Sequence, residues 1–152
     1  MSGTVKTLLA ERAGVLHALG PDATAADAVA LMNRHNMGAV LVMTPEQALL
    51  GVFTERDVLR RVLGEGLDPT ATPLEAVMTR EVFWIAPSAP VDEAMAIVSE
   101  RNVRHLPVME DDRVLGMISV RDLMAAVVAD REFKLAELTS YVHGSYGGHV
   151  GS

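Results

Sequence analysis

The sequence predicts a mixed α/β (α+β) fold made of two intertwined repeats. Each repeat is a small three-stranded sheet with helices on one side, the two pack sheet to sheet, and an extra helix follows. Three observations carry this expectation. The apolar periodicity reads helix, strand, helix, strand, strand, helix twice over. The stretch Gly51-Val52-Phe53-Thr54-Glu55-Arg56-Asp57 returns 65 residues later as Gly116-Met117-Ile118-Ser119-Val120-Arg121-Asp122. Each half has only about 60 residues, marginal for a core of its own, so the halves are expected to share one.

In chain order, Val5 to Glu11 reads as a short helix docking through Leu8 and Leu9, and Val15 to Leu19 as a short strand closed by Gly20-Pro21-Asp22. A helix follows at about 24–35, where Thr24 and Asp27 have the spacing of a capping box and Ala28, Leu31, Met32 and His35 share a face. Ala39 to Met43 is an uninterrupted apolar run, as a strand covered on both faces requires. Leu49 to Phe53 is the paired strand, and Glu55 to Leu63 a helix with Val58, Leu59, Val62 and Leu63 inward.

The Gly/Pro/Thr-rich residues 64–73 form a linker, after which the order restarts. Pro73 to Met78 is a short helix, Val82 to Ile85 a strand, Val91 to Arg101 a helix, His105 to Met109 and Val114 to Ile118 a hairpin, and Arg121 to Ala129 the closing helix. Asn36 to Met43 falls on Asn102 to Met109 with an offset of 66, and Leu50 to Val62 falls on Leu115 to Val127. Expected boundaries are therefore 3–64 for the first repeat, 65–73 for the linker and 74–129 for the second repeat. Residues 130–142 add a helix with Leu135, Leu138 and Val142 on one stripe, and the Gly-rich residues 143–152 a flexible tail.

Composition narrows the function. The absence of cysteine excludes thiolate nucleophiles, disulfides and Cys-based zinc sites. A net charge of -7 and a pI near 5.1 argue against a nucleic-acid partner. No apolar run reaches the roughly 18 residues that span a bilayer, and the first residues carry no basic, then apolar leader. A cytoplasmic protein with no membrane partner is expected. His17, His35 and His105 lack metal-ligand spacing and read as structural; Glu110-Asp111-Asp112 lacks the further oxygens of a calcium loop. No metal is expected. No nucleophile elbow, Walker loop or His-Glu-x-x-His stands in the chain.

The duplicated stretch holds the remaining chemistry. The hydroxyl of Thr54 or Ser119 stands where it caps a helix whose first N–H groups attract anions. Arg56 and Arg121 can reach a phosphate beside it, and Asp57 and Asp122 can accept from a ribose diol. Gly51 and Gly116 let the chain turn or let a ligand approach the backbone. The plain alternative for Thr/Ser-x-x-Asp is a capping box that does nothing but hold two helices.

With Met78-Thr79 and Asn102-Val103-Arg104-His105-Leu106-Pro107-Val108, the doubled pattern resembles a tandem pair of cystathionine-β-synthase-type (CBS) domains, the Bateman module, over residues 3–129. The resemblance implies a regulatory module without catalysis, an energy or redox sensor whose interdomain clefts take AMP, ADP, ATP, S-adenosylmethionine or NAD(H). It also implies a homodimer and a regulated partner protein. By position, Asp57 and Asp122 hold ribose, and Thr54, Ser119, Arg56, Arg121, Arg104 and His105 approach phosphate. Thr79 lines the cleft, while Gly38, Ala39 and Pro107 wall the adenine and sugar. Where the second repeat has Thr79 and Arg104-His105, the first has Ala13 and Gly38-Ala39, so the two clefts are expected to be unequal. The competing expectations are a ligand-free dimerisation domain and, third, an enzyme acting on a nucleotide.

Overall fold

The computed structural model describes residues 3–11 and 16–139. The expected strand start at Val15, Ala13, and the tail that includes His143 and His149 lie outside the described residues. Helix α1 (Val5–Glu11) precedes the short strand β1 (Ala18–Leu19). Helix α2 (Ala25–His35) starts on the expected capping box: the Asp27 N–H donates to Thr24 Oγ1 at 3.1 Å and the Thr24 N–H to Asp27 Oδ2 at 2.9 Å. It ends on Asn36 at φ 53°, and α5 (Val91–Arg101) ends on the equivalent Asn102 at φ 52°. Asparagine tolerates this left-handed position better than other residues with a side chain.

Strands β2 (Ala39–Met43) and β3 (Leu49–Thr54) form an antiparallel hairpin, and β1 adds in parallel to β2 to complete a sheet ordered β1-β2-β3. The second repeat repeats the hairpin as β4 (His105–Glu110) and β5 (Arg113–Ser119). Both hairpins shift register at the same point, between Val42 and Met43 and between Val108 and Met109. Asp111 and Asp112, both at positive φ, make the two-residue turn that suits the twist of the paired strands.

The second sheet has two strands where three are expected. Of the residues 82–85, only Ile85 pairs, in parallel with Val108, through its N–H to Pro107 O at 3.0 Å and its carbonyl from the Met109 N–H at 2.9 Å. The next rung back would need an N–H from residue 107, and proline has none. The third strand is thereby cut to one bridge.

The other departure is in the helix after β3. Residues Glu55–Asp57 (α3) are α-helical, but Val58–Leu63 winds as a π-helix, closed by the Gly64 N–H on Leu59 O at 2.8 Å. The wider turn shifts the stripe expected from α-helical spacing. Val62 is buried and Val58 half-buried, but Leu59 and Leu63 are 64% and 56% exposed. At the other end of the chain, β5 runs directly into a single helix α6 (Val120–Thr139).

Intertwining is visible in the cores. Val5 and Leu8 of α1 belong to the second repeat's core with Leu106, Val108, Ile118 and Leu123. They are held there by the Val5 N–H on Ala89 O at 2.9 Å and the Lys6 N–H on Pro87 O at 2.8 Å. Conversely Leu74, Val77 and Met78 of α4 (Leu74–Val77) and its C-cap fill the first repeat's core around Phe53. A third cluster, with Ala39, Leu41, Met43 and Val52 against Val114 and Met117, packs sheet on sheet. In the linker, the Thr70 hydroxyl and N–H donate to the exposed Asp68 and hold its carboxyl below the ordinary range.

Because Leu74 is fully buried in the repeat that precedes it, Leu74→Ala is expected to destabilise the whole protein by about 2–5 kcal/mol. Urea denaturation should show this as a single transition moved to lower denaturant. A transition split in two, with one half unaffected, would contradict the shared core.

Candidate functional site

Two clefts receive most of the expected site residues. The larger, about 950 Å³, is lined from the first repeat by His17, His35, Gly38 and Glu55, and from the second by Arg104, His105, Ser119, Arg121 and Asp122. The smaller, about 490 Å³, is lined by Arg56, Arg61, Thr79, Arg80, Phe83 and Arg101, with Glu75 and Glu81 also in its wall. The structure thus brings together Gly38, Arg104, His105, Ser119, Arg121 and Asp122 in one place and Arg56 and Thr79 in the other. Thr54, Asp57, Ala39 and Pro107 line neither. The Ala39 side chain is fully buried in the layer between the sheets, and Pro107 is buried in β4.

The two aspartates of the duplicated stretch differ in their surroundings. Both close a capping box. The Thr54 N–H and hydroxyl donate to Asp57 Oδ2 at 3.0 and 3.1 Å, and the Ser119 N–H and hydroxyl to Asp122 Oδ2 at 2.7 and 3.0 Å. Each aspartate's own N–H returns to that hydroxyl at 3.2 Å. Asp57 is then clamped further. The Thr79 hydroxyl lies 2.9 and 3.0 Å from its two oxygens, and Arg61 Nε lies 3.4 Å from Oδ1. Only 4% of Asp57 is exposed. Asp122 is half-buried at the wall of the larger cleft, and the residue aligned with Thr79 is Ala13, which has no hydroxyl.

Thr79 reaches Asp57 because its segment pairs with the edge of β3. The Val52 N–H donates to Thr79 O at 2.9 Å and the Thr79 N–H to Val52 O at 2.8 Å. This close approach explains Gly51, since a Cβ there would stand 2.6 Å from the Thr79 carbonyl oxygen. At Gly116 the neighbour is Leu9 of α1, 2.7 Å from the position of a Cβ. Both glycines thus make room for the chain's own exchanged segments. Gly38 makes room for the Glu55 carboxylate and for His105, whose Cε1 lies 3.2 Å from where its Cβ would be.

The larger cleft also holds two side chains whose sequence spacing marks them only as structural. His17 and His35 line it and stack on each other, with ring centroids 4.1 Å apart and planes tilted by 34°. Their equivalents at the offset of 66 are Phe83 and Arg101, and in the smaller cleft the Arg101 guanidinium sits 5.1 Å from the Phe83 ring centroid. Extending the repeat alignment outward from Asn36/Asn102 relates the two pairs of positions, but the contact within each pair comes from the structure. No group of three or more metal-ligating side chains occurs among the described residues.

The architecture and doubled motif agree with the comparisons. The CBS-domain sequence profile matches residues 15–64 and 74–129. The chain belongs to the CBS-domain family. A mitochondrial CBS-domain-containing protein of Arabidopsis thaliana is 37% identical over 129 residues, covering 82% of this chain and 63% of the plant protein. The structure of a putative signal-transduction protein with CBS domains from Burkholderia ambifaria superposes with a TM-score of 0.79 at 33% identity, covering 85% of this chain and 96% of that one. Two more distant structures share the fold. One is a CBS-domain protein of Pyrobaculum aerophilum complexed with AMP, with a TM-score of 0.74, 20% identity and coverage of 86% and 99%. The other is a CBS domain pair in complex with 5′-methylthioadenosine and S-adenosyl-L-methionine, with a TM-score of 0.75, 22% identity and coverage of 84% and 98%. No described helix of the CBS pair is long and apolar enough to cross a membrane.

The unequal burial of the two carboxylates predicts unequal costs. Asp57→Ala removes a cap and several charge-assisted hydrogen bonds and is expected to cost about 2–4 kcal/mol. Asp122→Ala, at a half-buried rather than a buried position, should cost less, about 1 kcal/mol. Equal shifts of the urea midpoint in the two variants would refute the difference.

Proposed function

We propose that this CBS pair is a regulatory module that binds an adenine nucleotide, AMP, ADP, ATP or NAD(H), as an energy or redox sensor with no chemistry of its own. One observation carries the reading: the larger cleft gathers Arg104, Arg121 and the Ser119–Asp122 pair from separate elements around a volume of about 950 Å³. That volume suits a nucleotide-sized ligand. The start of α6 presents N–H groups to an anion there, with two guanidiniums beside it, and Asp122 supplies a carboxylate for a ribose diol. The adenosine compounds bound by distant members of the family support the same ligand class. The smaller cleft differs, because Asp57, the counterpart of Asp122, is buried under Thr54, Thr79 and Arg61 and does not line it. Nucleotide is assigned to the larger cleft first.

The module acts as a homodimer. Leu63 of the π-helical turn and Met124, Val128 and Leu135 of α6 are all 46–56% exposed, large apolar side chains that a second copy would cover. Nucleotide bound across the two repeats shifts their relative orientation, and a partner protein reads the shift.

AMP, ATP, NAD, NADH and S-adenosylmethionine, each at about 100-fold over its dissociation constant, are the panel for thermal denaturation. The true ligand should stabilise the protein by about 2.7 kcal/mol, and Arg104→Ala should abolish its effect. An unchanged melting temperature across the panel at millimolar concentration would leave the ligand-free dimerisation domain as the function. Separately, Leu63→Glu combined with Met124→Glu is expected to halve the mass found by sedimentation; an unaltered mass would exclude this surface as the dimer interface.

A further inference from the structure

The stacked histidines stand where the other cleft carries a permanent charge. His17 just precedes β1, and His35 ends α2. Phe83 and Arg101 occupy the same two places in the second repeat, also in contact and also lining a cleft. The same pair of positions is thus imidazole on imidazole in one cleft and guanidinium on phenyl in the other. Imidazole alone among unperturbed side chains changes charge between about pH 5 and pH 8.

The surrounding charges make that change decisive. The larger cleft receives Arg104 from just before β4 and His105 from its first position, Arg121 and Asp122 from α6, and Glu55 from α3. Two guanidiniums therefore stand against two carboxylates, and the imidazoles set the sign of what remains. Arg34, next to His35 on α2, is exposed and outside the lining. Two imidazolium rings in contact repel each other, and an anion entering between the positive groups offsets that repulsion.

We propose that His17 and His35 are the specificity-determining pair of the larger cleft, taking up a proton as a phosphate-bearing ligand binds. The inference rests on the nucleotide reading of that cleft. Its sign follows from linkage. The bound anion raises the proton affinity of the pair, so the added binding strength is present at low pH and is lost as pH rises through the titration of the liganded pair. The nucleotide sensor would then also report acidification, and the Phe83–Arg101 cleft would not.

The test titrates AMP and ATP by calorimetry at about pH 6 and about pH 8, in buffers of different ionisation enthalpy. It compares the wild type with the double substitution His17→Phe/His35→Arg, which copies the pair of the other repeat. A proton carried by the ligand's own phosphate is common to both proteins, so the difference between them reads the histidines. For each proton that the wild type takes up and the doubly substituted protein does not, its affinity should rise by up to about tenfold per unit fall in pH. His35→Gln, at an exposed position, should lose the same dependence and guards against misfolding of the double substitution. Identical pH slopes and proton uptake in wild type and His35→Gln would overturn the proposal with the nucleotide site intact. Failure of the wild type to bind either nucleotide at any pH would overturn the nucleotide reading and the proposal together.

Discussion

The structure depends on an exchange of leading segments between the repeats, and Thr79 anchors one of them. The backbone of Thr79 pairs with Val52 at the edge of β3, and its hydroxyl bridges both oxygens of Asp57. Two chain segments 22 residues apart are thereby locked at the junction of strand and helix. A buried carboxylate is costly unless it is fully hydrogen-bonded, and here every donor comes from the chain itself. The same contact dictates glycine at position 51. On the other side, α1 performs the reciprocal service by seating Val5 and Leu8 in the second core. Neither half keeps its core if its partner's segment leaves, which is how repeats of marginal size become one unit.

The same exchange makes the clefts unequal. The repeats share the capping geometry to within a few tenths of an ångström, because a Ser or Thr three residues before an Asp has few ways to close. They diverge in what reaches that geometry from elsewhere. Thr79 and Arg61 converge on Asp57, whereas Asp122 forms part of a cleft wall with Arg104 and Arg121. A duplicated motif is therefore a duplicated scaffold, and residues outside it decide whether its carboxylate is buried or borders a cleft. His17–His35 against Phe83–Arg101 is the same divergence elsewhere in the cleft walls.

Much of the fold was legible because local rules and tertiary demands agree. The capping box at Thr24, the buried run of β2 and both hairpins stand where periodicity and turn residues place them. Two local readings failed where the structure departs from regular winding or pairing. The strand expected at 82–85 lost its ladder to the missing N–H of Pro107, a residue more than twenty positions away. The inward stripe expected at Leu59 and Leu63 assumed 3.6 residues per turn, and the π-helical winding left both outside. At the candidate site, the duplicated stretch and the Arg104–His105 pair could be read directly, but the stacked histidines could not, since neither has a neighbour in sequence that marks it.

By itself, then, the sequence determined the repeat, the order of elements, the family and the capping geometry, all of which rest on spacing along the chain. Only the tertiary structure decided that Asp57 is consumed by Thr79 while Asp122 borders the larger cleft, and that His17 meets His35. Those outcomes depend on which segments cross between the repeats, and hydrophobic periodicity carries no information about which half a helix will bury its face in.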